Sequence, residues 1–249
     1  MMAYRFNFYT WFLVDSLNIM VISYIWLSIY KQGNTVGNYS LKNLISYFVL
    51  SRVISMAIGN RSTSDDVAED IRQGRLSNYL LKPINYFWSN YFITIGELIS
   101  NSILTIPLVI ITLYFFHSSL VLSIDRIVLF LLSLLVSSAL GFCIWYFLGM
   151  LTFYMDNIFG PQFMLWLLFS VFSGRTAPLD IMPAVISNIA NLLPFKYMLF
   201  IPMQIINGSF SIATSINNLL LGFVWILCLY LFSMVFYNFG LKKYESNGS

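Results

Sequence analysis

Charge is absent from four long stretches of the chain: residues 98–124 (with His117 neutral), 127–155, 157–174 and 197–241. Asn207, Gly208 and Ser209 interrupt the apolarity of the last. Two earlier stretches are apolar apart from one charge each, 8–30 with Asp15 and 43–58 with Arg52. A spanning helix needs about 20 predominantly apolar residues. The pattern therefore predicts six spans, near residues 8–30, 42–59, 92–116, 127–153, 158–174 and 217–239. The expected fold class is an all-α membrane protein made of a single domain, residues 1–249.

Two pieces between these runs are not expected to span. The first, residues 60–91, holds four of the ten acidic residues: Asp65, Asp66, Glu69 and Asp70. The second, residues 175–215, carries Pro178, Pro183, Pro194 and Pro202, four of the seven prolines. Six spans place both termini on one side. Basic residues concentrate in cytoplasmic loops, and with cytoplasmic termini the inner set outnumbers the outer by seven to five. Termini and residues 60–91 are thus expected inside, and residues 175–215 outside.

Residues 62–74 carry helix punctuation at both ends. Ser62, Thr63 or Ser64 can cap free N–H groups. Asp65 and Asp66 suit a first turn, where the helix dipole favours anions. Arg72 suits the last turn, and Gly74 the left-handed position beyond it. Val67, Ala68 and Ile71 share one face, with Asp66, Glu69, Asp70 and Gln73 largely around the others. A helix this short is unstable alone in water, so something must hold it. Either it packs on its own bundle or it docks a soluble partner. Four acids argue against lipid headgroups, because the inner leaflet is negative. Next, Leu76, Tyr79, Leu80 and Ile84 suit a segment lying along the membrane surface, and Pro83 forces a break.

Composition narrows the function classes. Hydrophobic residues make up 59% and charged ones 9%, against roughly 25% charged in soluble domains. That excludes a soluble globule, a disordered chain and a secreted disulfide scaffold. No room is left for a nucleotide-binding domain, so any ATP must be bound by another polypeptide. Net charge is +3 without a basic patch, which argues against nucleic acid as a partner. Cys143 and Cys228 lie in apolar runs and read as buried packing residues. One histidine, His117, supports neither a metal site nor an acyl-transfer triad. No Gly-rich phosphate loop is present. The N-terminus lacks a cleavable signal pattern, so the first apolar run is expected to remain as a span. Aromatic residues, 18% of the chain, read chiefly as packing and lipid-facing bulk, with a stacked lining for an amphiphile as the sharper alternative.

The run Glu69-Asp70-Ile71-Arg72-Gln73-Gly74-Arg75-Leu76, followed by Leu80-Leu81-Lys82-Pro83, resembles the cytoplasmic loop of type-2 ABC exporter permeases. Gly174, Pro178 and Pro183, followed by Leu193-Pro194-Phe195, match the same family after its fifth span. The resemblance covers nearly the whole chain. It implies a stand-alone six-helix permease subunit with no catalytic residues of its own. A coupling helix would dock a separate ABC ATPase, present in two copies and carrying ATP and magnesium. By position, Asp65, Asp66, Val67, Ala68, Glu69, Asp70, Ile71, Arg72 and Gly74 would form that element. Gly174, Pro178, Pro183, Pro194 and Phe195 would belong to a re-entrant hairpin closing the outer mouth. A second permease, identical or related, would complete the pathway in the cell inner membrane. The expected substrate is a drug, antimicrobial peptide or lipid. The family's elbow helix has little room here, since only nine residues or so precede Trp11.

Asp15, Arg52, Glu97 and Asp156 lie in or near spans, where a charge at mid-span costs roughly 2.5–3.5 kcal/mol on insertion scales. Arg52 with Glu97, or Asp15 with Arg52, would form a compensating pair, either structural or on the transport path. The competing function classes are a secondary carrier without an ATPase and an integral-membrane enzyme. A carrier would show helices broken near the membrane centre, whereas the breakers here lie toward the outer side. An enzyme would show clustered His, Asp or Glu.

Overall fold

The structure is a computed structural model. It describes residues 17, 20, 21, 24–31, 37, 39–58, 61–81, 83, 85–116, 121 and 123–247. Among them the chain is helical, with no strand. Helical residues 24–31 precede α1 (Leu41–Ile58), α2 (Arg61–Arg72), α3 (Leu76–Leu80), α4 (Tyr86–Phe116) and α5 (Ile124–Met150). A 3₁₀ turn, Leu151–Phe153, extends α5. Then come α6 (Phe159–Phe172), α7 (Ala184–Leu192), α8 (Phe200–Ile206) and α9 (Ile212–Asn247), with 3₁₀ turns at Leu179–Ile181 and Pro194–Met198. Asp15 and His117 lie outside the described residues, as does the N-terminal segment where an elbow helix was considered.

Two described segments are long and apolar enough to cross a membrane, Ile124–Phe153 and Ile212–Lys243. They contain the fourth and sixth expected spans. α4 starts at Tyr86 rather than near residue 92, because Asn85 opens the helix through a side-chain bond to the Trp88 N–H. The fifth expected span is a helix of 14 residues, about 21 Å long by helical rise, with a further apolar stretch supplied by α7.

The central element is α5. Near its start, Arg126 donates to the carbonyls of Ile205 (3.2 Å) and Phe210 (3.0 Å), holding the last turn of α8. A cation there answers the unpaired carbonyls at a helix C-terminus. In the middle, Ser137 Oγ donates to the Met198 carbonyl. Near its end, Gly149 lies directly under Val67 of α2. Arg126 and Gly149 are about 35 Å apart along the helix by rise, slightly more than the roughly 30 Å of a hydrocarbon core. The acidic loop and the Pro-rich segment therefore pack on opposite ends of one apolar helix.

Three apolar clusters follow from this. One joins α1 to Leu199, Met203 and Ile206. A second joins Val67, Ile71 and Leu76 to Tyr86, Phe87, Phe142 and Tyr146. A third packs α5 under Leu179, Phe195 and Ile205. Phe87 is the hub of the second: its ring meets Tyr230 at 4.8 Å, Phe142 at 5.0 Å and Tyr146 at 5.1 Å, all edge-on. Edge-to-face contacts suit the ring quadrupoles. Part of the aromatic content is thus core packing, while Phe92, Tyr114, Phe163, Phe223 and Phe239 are exposed. Two expectations need correction. Leu76 is wholly buried rather than lying along a surface. Cys143 is buried, but Cys228 is exposed, because it lies on the outward face of α9.

Candidate functional site

The candidate site is α2 with its anchoring residues. The helix begins at Arg61, ahead of the three expected caps, and has no acidic residue in its first turn. Ser62, Thr63 and Ser64 are therefore inside the helix and do not cap it. Their hydroxyls are drawn into tertiary bonds. Ser62 Oγ donates to Glu97 Oε2 at 2.8 Å. Thr63 Oγ1 and Thr94 Oγ1 are 3.1 Å apart, and Thr94 donates to the Asn90 carbonyl, so Thr63 is the donor between them. Gln162 Nε2 donates to Ser64 Oγ at 2.9 Å and to Asp65 Oδ1 at 2.6 Å. The first turn is thereby bonded to α4 on one flank and to α6 on the other.

The far end is closed as the sequence predicts. Gly74 has φ +72, a left-handed conformation that costs glycine little. Beyond it Arg75 turns back, with Nε 2.7 Å from Asp70 Oδ1 and a guanidinium nitrogen 3.6 Å from Glu69. Tyr86 Oη donates to Asp70 Oδ2 at 3.0 Å, bonding the end of α2 to the start of α4.

The two faces of α2 are sharply different. Val67, Ala68 and Ile71 are buried against the chain's own bundle. A Cβ on Gly149 would lie 2.7 Å from Val67 Cβ and 2.9 Å from the Ser64 carbonyl oxygen, so glycine is required for this approach. The apolar face expected to meet a partner is thus already used within the chain, because a helix of three turns needs that burial to persist. What remains outward is polar: Asp66, Glu69, Arg72 and Gln73. Burial raises the Asp66 carboxyl above its ordinary range, with Glu97, Asp70, Asp65 and Glu69 adding repulsion.

The Pro-rich segment is built at the other end. Gly174 has φ +83, and its carbonyl accepts from the buried Tyr47 Oη at 2.8 Å. Pro178 and Pro183 immediately precede the 3₁₀ turn at Leu179–Ile181 and α7, respectively, and Pro194 opens the turn that buries Phe195. Proline fits helix starts because its missing N–H is unpaired there anyway. Tyr39 Oη donates to Asp180 Oδ2 at 2.8 Å, and Gln204 Nε2 donates to Tyr39 Oη at 2.9 Å. Burial and the adjacent Asp180 carboxylate hold the Tyr39 phenol above its usual range.

Of the candidate intramembrane pair, Glu97 serves as acceptor for Ser62 on α2, and Arg52 sits half-buried on α1. Sequence reasoning missed Gln162 and Gly149. Gln162 had one signal, an amide inside an apolar run, which is costly in lipid unless bonded. Gly149 had none.

An acidic helix clamped against α4, α5 and α6, and a proline-punctuated segment at the opposite end of α5, are the context for the comparison with known families. The family model described as ABC-2 family transporter protein matches residues 16–248. The chain belongs to the ABC-2 transporter family. It is accordingly a membrane permease component of an ABC transporter, a family whose permeases associate with an ABC ATPase. No curated protein matches, and neither does any solved structure.

Proposed function

We propose that this ABC-2 permease is the transmembrane subunit of an ATP-driven exporter that moves a hydrophobic or amphiphilic substrate, a drug, an antimicrobial peptide or a lipid, out of the cell. Six helices cross the inner membrane with both termini cytoplasmic, and the Pro-rich segment re-enters the bilayer from outside. Two permeases, the same or related, form the pathway. Two copies of a separate subunit bind ATP and magnesium and dock on α2.

One observation carries this reading. α2 is anchored on three helices by its buried face and first-turn hydroxyls, while Asp66, Glu69, Arg72 and Gln73 point outward. A helix held this way transmits force applied to its polar face into α4, α5 and α6. Docking therefore rests on the polar face, and Val67, Ala68 and Ile71 act as the internal seat.

The test is co-expression with candidate ATPase subunits and purification in mild detergent. Wild-type protein is expected to bring a nucleotide-binding subunit with it. Glu69→Lys combined with Arg72→Glu is expected to lose that subunit and export while inserting normally. Full retention of both in the double variant would remove α2 as the docking element.

A further inference from the structure

Between α4, α5 and α9 lies a cavity of about 490 Å³ that the exporter reading does not use. Its floor is Phe87, Phe142 and Cys143, all buried. Its rim includes Trp88, Phe223 and Leu227, which are 46%, 63% and 52% exposed. No charged side chain lines it. An apolar cavity of this kind does not hold water.

Its position says what fills it. Leu135 and Ala139 flank the midpoint between Arg126 and Gly149, hence lie near the middle of the bilayer, and Cys143 is one turn nearer the α2 end. Trp88 stands at the start of α4, two residues after Tyr86, which makes the α2 contact, and an indole there suits the membrane interface. Phe87 beside it packs on Tyr146 of α5, and from Tyr146 to Leu135 is about 16 Å by helical rise, close to half the hydrocarbon thickness. The cavity is therefore one leaflet deep and opens sideways toward lipid. Its volume is well above the ~150 Å³ at which an apolar cavity already binds a benzene ring.

We propose that this cavity is a binding site for one acyl chain of a bilayer lipid, drawn from the leaflet on the α2 side. The hydrocarbon lies along Phe142 and Ala139, with the ester region near Trp88. The site stands independently of ATPase docking.

The test uses the full chain in phosphatidylcholine vesicles doped with a phosphatidylcholine bearing a diazirine at the end of one acyl chain. A parallel sample carries the diazirine on the headgroup. Chain-end adducts are expected on residues 135–143 and 223–230 in excess over residues 163–167, an exposed apolar stretch of α6. Headgroup adducts should centre on Trp88. Ala139→Phe, which fills the floor, should lower chain-end labelling to the α6 level. If that variant loses its size-exclusion profile, Leu135→Phe on the exposed rim makes the same test. Labelling no greater than on α6, or undiminished in a folded filling variant, would overturn the proposal.

Discussion

Gln162 on α6 donates its side-chain amide to Asp65 Oδ1 of α2 at 2.6 Å, and shares the same nitrogen with Ser64 Oγ at 2.9 Å. The amide is buried, and a buried hydrogen bond to a charged group contributes about 1.5–3 kcal/mol. Gln162→Leu is expected to lower the melting temperature in detergent and to weaken the response of export to ATP. Gln162→Glu should be worse, since it sets a second carboxylate against Asp65. Comparing thermal stability with ATP-dependent uptake into inverted vesicles checks both. Unchanged melting would show that α6 does not hold α2.

The contact between Gly149 and Val67 leaves no space for a methyl group. Gly149→Ala is expected to cost about 1–3 kcal/mol, the usual range for overpacking. Val67→Ala should recover little of it, because Val67 Cβ and the Ser64 carbonyl oxygen, the two nearest atoms, both remain. The measurement is stability of Gly149→Ala with and without Val67→Ala. A Gly149→Ala variant as stable as wild type would contradict the close approach.

At the opposite end, a Cβ on Gly174 would meet Tyr47 Oη at 2.8 Å and Phe200 Cβ at 3.1 Å, and its φ of +83 disfavours any side chain. Gly174→Ala should destabilise by more than about 1 kcal/mol. Tyr47→Phe should cost about 1 kcal/mol through the lost bond to the Gly174 carbonyl. Because the phenol is also the clashing atom, the double variant should lose less than the sum. A strictly additive cycle would contradict the geometry.

The raised Asp66 carboxyl sets a pH dependence. A carboxyl raised on folding binds protons more tightly in the folded state, so stability falls as pH rises from the unfolded value through the folded one. Asp66→Asn should therefore stabilise the protein at neutral pH. The gain should stay below about 1 kcal/mol, because the group is largely solvated and screened. It should disappear as pH falls to the ordinary carboxylate range. A melting series from pH 4 to 8 measures it, and an Asn variant less stable than wild type at pH 7 would refute the assignment.

Orientation has its own test. A cysteine at Ser77 should resist a membrane-impermeant maleimide added outside whole cells, and one at Thr176 should react, in a background lacking Cys143 and Cys228. The reverse pattern would invert the topology.

Much of this arrangement was legible in the sequence, and the exceptions share a cause. Gly74 announced a left-handed turn, because that residue acts through its own backbone; the φ of +83 at Gly174 and the helix starts beside Pro183 and Pro194 were not read from the sequence. Residues 127–153 and 217–239 announced apolar helices through composition alone, and the helices found extend them to 124–153 and 212–243. α2 starts ahead of the expected caps because Ser62, Thr63 and Ser64 carry only the local signal of a cap. That signal lost to Glu97, Thr94 and Gln162, partners up to 98 positions away in the chain. The amphipathic face of α2 was read correctly as needing cover, but periodicity does not say whether the cover comes from the same chain. Gly149 supplied it, and a lone glycine in an apolar run shows no local sign of the helix that will cross it.

That crossing constrains how the protein can move. With Val67 seated on bare backbone, no compressible layer of side chains separates α2 from α5. α5 runs uninterrupted from that contact to the far end, where Arg126 bonds the end of α8. Under the proposed docking, a push on α2 would have one continuous helix along which to reach the opposite mouth.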